Sequence, residues 1–194
     1  MIRELIEKYL KFYPEDVERL EEARNLAKQV KISDSEIFNR KNFTGHFTAS
    51  TFIINPKLKK ILLLEHKSLG ILLQPGGHIE AVDDTPMAAA LRELKEETGK
   101  SASDFTYIAL DPKEPLVPFN IDSHHIPENP KKQEDAHLHH DFGYLFVADG
   151  IEEVEIDPNE SNGFHWINIE DFYKQPHFKT IVPKVKKFLA ENRV

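Results

Sequence analysis

The stretch GGHIEAVDDTPMAAALRELKEETG, residues 76–99, carries the strongest structural signals in the chain. Thr85 is a typical N-cap residue, Pro86 suits the first position of a helix, and Gly99 suits the position just past a helix end. This punctuation predicts a helix between the proline and the last glycine. The apolar segment LGILLQ (69–74) predicts a strand before it, joined to the helix by a glycine-containing loop.

Three glutamates, Glu93, Glu96 and Glu97, share one face of the predicted helix, and the apolar residues form a different stripe. Carboxylates three or four residues apart on a helix repel each other by a few tenths of a kcal/mol. One interpretation is a solvated face screened by Arg92 and Lys95. The other is a site for a hard divalent cation, which binds carboxylate oxygens. The helix alone leaves both interpretations open.

The residues before the helix favour the metal interpretation. In Pro75-Gly76-Gly77 the glycines allow the backbone to approach the helix closely and to turn a carbonyl toward an ion. A strand, a glycine loop and an acidic helix together suit metal-assisted attack of water on phosphorus.

The same stretch resembles the signature of the Nudix hydrolases. That signature is a Gly, five residues, a Glu, seven residues, Arg-Glu, an aliphatic residue, any residue, Glu-Glu, any residue, Gly and an aliphatic residue. The positions that match in register are Arg92, Glu93, Leu94, Glu96, Glu97 and Gly99. The strand and helix order already predicts an α/β or α+β protein. The resemblance further implies a Nudix-type α/β/α sandwich around a mixed β-sheet, to which the helical pattern before it adds an N-terminal helical extension.

The match departs from the signature at the first glutamate and at the final aliphatic position. Asp83 lies at the expected spacing from Gly77, whereas Asp84 keeps the expected spacing to Arg92. We interpret this as a one-residue loop insertion that puts Asp84 in the place of the glutamate. Lys100 replaces the final aliphatic residue.

The resemblance implies roles for the charged residues. Glu93, Glu96 and Glu97 would bind Mg²⁺ or Mn²⁺, with help from a carbonyl of the glycine pair, assigned to Gly77. Glu93 would also act as the base on a metal-bound water, and Arg92 would orient the carboxylates by ion pairs.

In this family the base can also come from a later loop. Glu160 is the candidate adopted here, and Glu155 is the alternative. A solvated acidic loop would explain either residue without a catalytic role.

The histidines leave three interpretations open. On a strand, His137, His139 and Asp141 share one face, and His140 lies on the other. These side chains could contact substrate, form a plain polar surface or, with the pair at 124–125, bind zinc. The spacing of these residues is not one dedicated to zinc. Substrate contact is the interpretation adopted, for His78, Gln74, His139 and Asp141.

Hydrophobic spacing predicts helices at both ends of the chain and strands between them. Segment 2–30 is typical of two amphipathic helices interrupted at Pro14. We expect residues 1–35 to form an extension packed on the main domain, 36–194, with a dimer surface or a substrate lid as alternatives. The strands are predicted at 46–54, 59–66, 105–110, 120–126, 136–148 and 163–167, and the closing helices at 169–175 and 182–193.

Composition limits the class of protein. The net charge is −8, which does not favour general nucleic-acid binding. The chain has no cysteine, so disulfides, thiolate metal sites and a cysteine nucleophile are excluded. A charged N-terminal segment and no long apolar run predict a cytoplasmic protein without a membrane span. A homodimer is compatible with these features.

The expected activity is Mg²⁺- or Mn²⁺-dependent hydrolysis of a phosphoanhydride bond in a nucleoside diphosphate linked to another group, a small-molecule substrate. A catalytically inactive nucleotide-binding or sensor module with the same fold is the alternative. The intact glutamate trio argues against that alternative, since a pure binder would not need all three. Isomerisation of an isoprenoid diphosphate is another use of the fold, but the family's known version of it uses a cysteine, and this chain has none.

Overall fold

A computed structural model describes residues 1–28, 34–130, 133–150 and 153–191. Its α-helices are α1 (Ile2–Phe12), α2 (Glu21–Lys28), α3 (Asp34–Phe38), α4 (Pro86–Thr98), α5 (Ile169–Phe172) and α6 (Val182–Glu191). Its strands are β1 (His46–Asn55), β2 (Lys60–His66), β3 (Leu72–Leu73), β4 (Gly76–His78), β5 (Thr106–Ile108), β6 (Asn120–Ile126), β7 (His137–Val147) and β8 (Ser161–Asn168). None of the described helices is long and apolar enough to cross a bilayer.

Helix α4 begins and ends where its capping residues predict. The Thr85 side chain accepts a hydrogen bond of 3.0 Å from the backbone N–H of Ala88. Gly99 adopts a left-handed conformation with φ of 67°, and its N–H donates to the carbonyl of Lys95 at 2.9 Å. A side chain would be strained at this φ, so glycine is the residue that ends the helix without cost.

The sheet is mixed and is built around its two longest strands. β1 runs parallel to β7, with His46 opposite His139 and Ile54 opposite Val147. The remaining pairings are antiparallel: β1 pairs with β2 and β4, β7 with β5 and β6, and β2 with β3 and β8. β2 and β4 therefore share one edge of β1, at opposite ends of that strand.

Helices cover both faces of the sheet, which confirms the predicted α/β/α sandwich. On one face, Phe47 and Phe142 pack with Leu94 of α4 and with the N-terminal helices. On the other face, the C-terminal ends of β1 and β7 pack under α5 and α6, where Phe172 and Val185 are fully buried. Burial of each such side chain stabilises the folded protein by about 1.5–3 kcal/mol. The beginnings of β1 and β7 carry polar residues on this second face instead.

The N-terminal helices share the core of the first face. Tyr9 of α1 is fully buried, and its hydroxyl donates to Asp16 at 2.5 Å. Asp16 also forms a 3.1 Å ion pair with the buried Lys184 of α6, so the two ends of the described chain are joined. The division into residues 1–35 and 36–194 stays a prediction, and residues 29–33 beside that boundary lie outside the described residues.

Three local differences separate the structure from the elements predicted. The strand predicted at 69–74 is reduced to β3, because Gly70 adopts a left-handed turn conformation with φ of 63°. The glycine loop contains a strand, β4, whose apolar signal is absent because two of its three residues are glycine. The short α3 was not predicted. The last residues of the predicted first and closing helices, 29–30 and 192–193, lie outside the described residues.

Candidate active site

β4 brings the glycine pair against the acidic face of α4. Gly77 pairs with Ala49 of β1, and a Cβ atom built on Gly77 would lie 2.6 Å from the Cδ and Oε1 atoms of Glu93. Real Cβ atoms do not approach other atoms so closely, so a side chain at this position would push the carboxylate of Glu93 away. The carboxylate of Glu93 is therefore held directly against the backbone of β4.

Glu97 is the most buried of the three glutamates, with 8% of the residue exposed. Its Oε2 accepts a hydrogen bond of 2.7 Å from the backbone N–H of Gly76. Burial raises the pKa of Glu97 to about 8, and repulsion from Glu93, Glu160 and Glu96 acts in the same direction. A nearby cation would relieve that repulsion.

Glu93 and Glu160 belong to the same set of interacting carboxylates as Glu97. Burial raises the pKa of Glu93, and the charges of Glu96 and Glu160 raise it further, although Arg92 opposes the shift. Glu160 is exposed and lies just before β8, where its carbonyl accepts from the backbone N–H of Lys67 at 2.8 Å. We call Glu93, Glu96, Glu97 and Glu160 the carboxylate cluster.

The alternative later-loop residue lies elsewhere. The backbone N–H of Glu155 donates to the carbonyl of Thr98 at 3.0 Å, and its side chain lies against Gly99. Glu155 is thus placed at the C-terminal end of α4, whereas the charge of Glu160 acts on both Glu93 and Glu97.

Arg92 connects α4 to the loop before it and to β4. Its Nη1 donates to Oε1 of Glu93 and to Oε2 of Glu96, both at 2.9 Å. Its Nη2 donates to the carbonyl of His78 at 2.8 Å and to Oδ2 of Asp83 at 2.9 Å. The guanidinium therefore contacts two of the three glutamates.

The interpretation of Asp84 is wrong. Asp83 forms the ion pair with Arg92, and its side chain is only 4% exposed, whereas Asp84 is exposed. Asp83 also accepts a hydrogen bond of 2.8 Å from the backbone N–H of Glu80, which closes the loop. The loop thus keeps the spacing from Gly77, and the extra residue falls between Asp83 and the helix.

The carboxylate cluster fits a divalent cation. Its donor atoms are carboxylate oxygens, the ligands that Mg²⁺ and Mn²⁺ prefer. Two of its members have raised pKa values, and the arginine beside them already forms ion pairs with Asp83, Glu93 and Glu96. A bound cation would neutralise the remaining negative charge and keep the carboxylates ionised.

Histidines gather on the opposite side of β4. Alternate residues of a strand point to opposite faces, so the ring of His78 lies away from α4. The ring centroid of His46 lies 5.1 Å from that of His78, 5.0 Å from that of His137 and 4.4 Å from that of His139. The ring of His124 lies 5.7 Å from that of His139. We call these five residues the histidine cluster.

The structure confirms the predicted faces of β7. His137, His139 and Asp141 lie on one face, while His140 lies on the other, against Phe47 at 5.3 Å between ring centroids. Burial lowers the pKa of His139 to about 2 and that of His46 to about 4, and the neighbouring histidines act in the same direction.

The remaining predicted substrate contacts, Asp141 and Gln74, have other surroundings. Asp141 is buried and accepts from the hydroxyls of Thr48 at 2.9 Å and Ser50 at 2.5 Å, so both of its oxygens join β7 to β1. Gln74 is half-buried, and its Oε1 has no hydrogen-bond partner among the described residues. The substrate roles of these two residues and of His78 and His139 stay predictions.

Sequence reasoning missed Asp83 and His46. The spacing from Gly77 was a signal for Asp83, but the competing spacing to Arg92 was preferred. His46 is the first residue of β1 and was interpreted only as part of a strand. Its place beside His139 depends on the parallel pairing of β1 with β7, which no local pattern indicates.

Comparisons with known proteins agree with this architecture. Solved structures with the same fold include an Ap4A hydrolase of C. elegans in a binary complex, with a TM-score of 0.57 and 18% identity, covering 75% of this chain and 98% of that one. A NUDIX family hydrolase from Clostridium perfringens has a TM-score of 0.53 and 27% identity, covering 76% of this chain and 95% of that one.

A dihydroneopterin triphosphate pyrophosphohydrolase of E. coli has a TM-score of 0.57 and 14% identity, covering 75% of this chain and 95% of that one. No curated protein sequence matches this chain significantly. The family model described as NUDIX domain matches residues 45–191, from the residue before β1 to the end of α6. This range contains the whole sheet, the acidic helix and the glycine pair, and the chain accordingly belongs to the Nudix hydrolase family.

Proposed function

We propose that this protein hydrolyses a phosphoanhydride bond in a nucleoside diphosphate linked to another group, using Mg²⁺ or Mn²⁺. The observation that carries the proposal is the carboxylate cluster held against Gly76 and Gly77, with raised pKa values at Glu93 and Glu97. Converging carboxylates of this kind support binding of a divalent cation, and pyrophosphate is an anion that a bound divalent cation would attract.

Glu93, Glu96 and Glu97 would hold the cation, with the carbonyl of Gly77 as a further oxygen donor. When bound, the cation would neutralise phosphate oxygens and lower the pKa of an attacking water. Arg92 would keep Glu93 and Glu96 oriented through its two 2.9 Å hydrogen bonds. Asp83 would in turn hold the guanidinium, a positioning role one contact removed from the cluster.

Glu93 is the proposed base, and Glu160 is the alternative in the later loop. A base works best when its pKa lies near the working pH, and burial moves the pKa of Glu93 in that direction. Glu160 is near enough for its charge to act on Glu93. Glu160→Gln is expected to lower kcat by about 100-fold if this residue accepts the proton, and by much less if Glu93 does.

The proposed substrate contacts lie at the polar end of the sheet, where β1 and β7 begin. His78, His139, Gln74 and Asp141 are the proposed contacts. Two of the similar structures are an Ap4A hydrolase and a dihydroneopterin triphosphate pyrophosphohydrolase, and both named compounds contain phosphoanhydride bonds. The NUDIX domain of Shewanella oneidensis NrtR, complexed with ADP ribose, has a TM-score of 0.52 and 15% identity. These likenesses support the class of substrate and leave the leaving group open.

A substrate panel tests the proposal. Nucleotide sugars, dinucleoside polyphosphates, ADP-ribose, NADH, coenzyme A and nucleoside triphosphates are incubated with the protein and Mg²⁺ or Mn²⁺, and the products are separated by chromatography. We expect two phosphorylated products from at least one linked nucleoside diphosphate, and none when a chelator is added. Tight binding of one compound without turnover of any would favour the sensor alternative and overturn the proposal.

A further inference from the structure

The histidine cluster is drawn from four strands. His46 lies on β1, His78 on β4, His124 on β6, and His137 and His139 on β7. One ring nitrogen from each of His46, His78 and His139 can be chosen so that the three atoms lie within 4.8 Å of one another. The Nε2 atoms of His137 and His139 are 3.2 Å apart. Ring nitrogens of histidines on different strands therefore lie close together at one place in the sheet.

Backbone carbonyls indicate which nitrogen of two rings carries the hydrogen. The Nδ1 atom of His137 lies 2.6 Å from the carbonyl oxygen of Asp135, and a carbonyl oxygen can only accept, so this ring donates from Nδ1. The Nδ1 atom of His46 lies 3.5 Å from the carbonyl oxygen of Asn42, a weaker contact that favours the same tautomer, with a lone pair on Nε2. Metal-binding histidines commonly show this pattern, in which the outer nitrogen donates to a carbonyl or carboxylate.

The Nε2 atom of His46 is the second observation. His46 is fully buried, and this atom has no hydrogen-bond partner among the described residues. A buried polar atom without a hydrogen-bond partner destabilises the folded protein. A core histidine that merely fills space would be expected to satisfy both nitrogens. An unpartnered lone pair among other imidazoles is instead a vacant ligand position.

We propose that His46, His78 and His139 bind one transition-metal ion, with Zn²⁺ as the first choice and His137 as the neighbouring fourth imidazole. This site is separate from the carboxylate cluster, which lies on the α4 side of β4, and it does not depend on the proposed hydrolysis. A ring nitrogen that binds the ion cannot also contact substrate, so the substrate contacts proposed for His78 and His139 apply to the protein without this ion.

The donor atoms select the type of ion. Neutral imidazole suits Zn²⁺, Co²⁺, Ni²⁺ and Cu²⁺, whereas Mg²⁺ prefers oxygen ligands. Zinc binds imidazole nitrogen at about 2.0–2.1 Å, so two nitrogens on a tetrahedral ion lie about 3.3 Å apart. The Nε2 atoms of His137 and His139 are in hydrogen-bond contact at 3.2 Å, so their spacing is already close to that value.

The position of His78 gives the site a connection to the other cluster. Its ring belongs to the histidine cluster, and its carbonyl oxygen accepts from Arg92 at 2.8 Å. An ion held by the ring would restrain β4 on one side while Arg92 restrains it on the other. The ion would thus stiffen the strand that presents Gly77 to Glu93.

Cobalt provides the test, because its visible absorption reports its ligands without any assay of activity. Untagged protein is stripped with a chelator, dialysed, and titrated with Co²⁺ in the presence of millimolar Mg²⁺. We expect one equivalent of Co²⁺ to bind with an absorption spectrum typical of nitrogen ligands in a tetrahedral or five-coordinate site. One equivalent of Zn²⁺ should abolish that spectrum by displacement.

Variants then locate the ion. His139→Gln and His78→Gln should each weaken Co²⁺ binding by at least ~10-fold and change the spectrum. His125→Gln is the matched control, since its ring is exposed on β6 outside the cluster. Glu97→Gln should also leave the spectrum unchanged. Circular dichroism of the metal-free variants checks that each is folded, and two histidine variants are used so that one misfolded protein does not decide the result.

Two results would overturn the proposal. One is that the wild-type protein binds no Co²⁺ or Zn²⁺ other than ions that Mg²⁺ displaces. The other is a Co²⁺ spectrum that survives in the folded histidine variants but disappears in Glu97→Gln, which would assign the ion to the carboxylate cluster.

Discussion

The carboxylate cluster and the histidine cluster lie on opposite sides of the three-residue strand β4, and they respond to burial in opposite directions. The pKa of Glu97 is raised to about 8, whereas that of His139 is lowered to about 2. The cause is shared, because burial and like neighbours disfavour the charged form of either group. A bound cation would favour the deprotonated form of both groups, which is the ionised carboxylate of Glu97 and the neutral ring of His139.

The two clusters differ in the ion they suit. Carboxylate oxygens favour Mg²⁺ or Mn²⁺, and imidazole nitrogens favour Zn²⁺ or its neighbours. They also differ in the charged residues that contact them. Arg92 already neutralises part of the carboxylate cluster through ion pairs with Glu93 and Glu96. In the histidine cluster, Asp122 is a carboxylate partner at the edge, 2.9 Å from Nδ1 of His124. The proposed chemistry belongs to the first cluster and the proposed resident ion to the second.

The largest effect is expected from Glu97→Gln, which removes charge from the carboxylate cluster alone. Turnover of the substrate found in the panel should fall by at least ~100-fold, since metal assistance is lost. Steady-state kcat at saturating Mg²⁺ measures it, with Glu155→Gln at the far end of α4 as the control. Near-normal turnover in Glu97→Gln, with a metal still required, would mean that the carboxylate cluster is not the catalytic centre.

Gly77→Ala tests whether β4 must contact the carboxylate cluster closely. The added methyl would meet the carboxylate of Glu93 at 2.6 Å and displace it. A displacement of about 1 Å can cost about 100-fold in rate, so kcat should fall by roughly that factor. Gly163→Ala is the control, because its Cβ would meet other atoms only at 3.8 Å or more. Equal rates in the two variants would show that the close approach has no role in turnover.

Asp83→Asn and Asp84→Asn form a matched pair that tests the support of the carboxylate cluster. Asp83 holds Arg92 in a nearly buried ion pair, and Asp84 is exposed. Loss of an outer partner of this kind costs about 10–100-fold in metal affinity or activity, so we expect about 10-fold for Asp83→Asn and little change for Asp84→Asn. The apparent Mg²⁺ affinity and kcat are measured for both. The reverse order would restore the original interpretation of the loop insertion.

The two clusters also differ in how far the sequence predicts them. Glu93, Glu96 and Glu97 lie on one helix, where spacing alone sets their common face. Thr85 and Gly99 set the ends of that helix for equally local reasons. The carboxylate cluster and the strand–loop–helix unit around it were therefore largely predictable.

The histidine cluster depends on pairing between distant strands. His46 meets His139 because β1 runs parallel to β7 in one register, and a shift of one residue would turn the rings to the other face. Local patterns contain no information on that register. The same limit applies to Asp83 and Asp84, since the choice between them depends on which carboxylate reaches Arg92 in three dimensions.

The smallest expected effect is on the pH dependence of stability, where the two clusters should act with opposite sign. Glu97 has a folded pKa of about 8 against an ordinary value of 4.5, so between these values the folded protein holds the proton and the unfolded chain loses it. Its contribution therefore makes the metal-free protein less stable as the pH rises from about 4.5 to 8. His139, with a folded pKa of about 2 against 6.5, makes the protein less stable as the pH falls below 6.5.

Thermal unfolding in a chelator between pH 4.5 and 8.5 measures both contributions. Relative to wild type, the Tm of Glu97→Gln should rise as the pH increases, and that of His139→Gln should rise as the pH decreases. A difference of 1 kcal/mol corresponds to about 2–4 °C for a chain of this size, so shifts of a few degrees across the range are expected. Added Mg²⁺ should flatten the contribution of Glu97, because the ion keeps that carboxylate ionised in the folded protein. Added Zn²⁺ should raise the Tm near neutral pH and leave the slope due to His139 in place, because the folded ring is already unprotonated. Parallel pH profiles for the two variants would show that the clusters do not differ as their pKa values indicate.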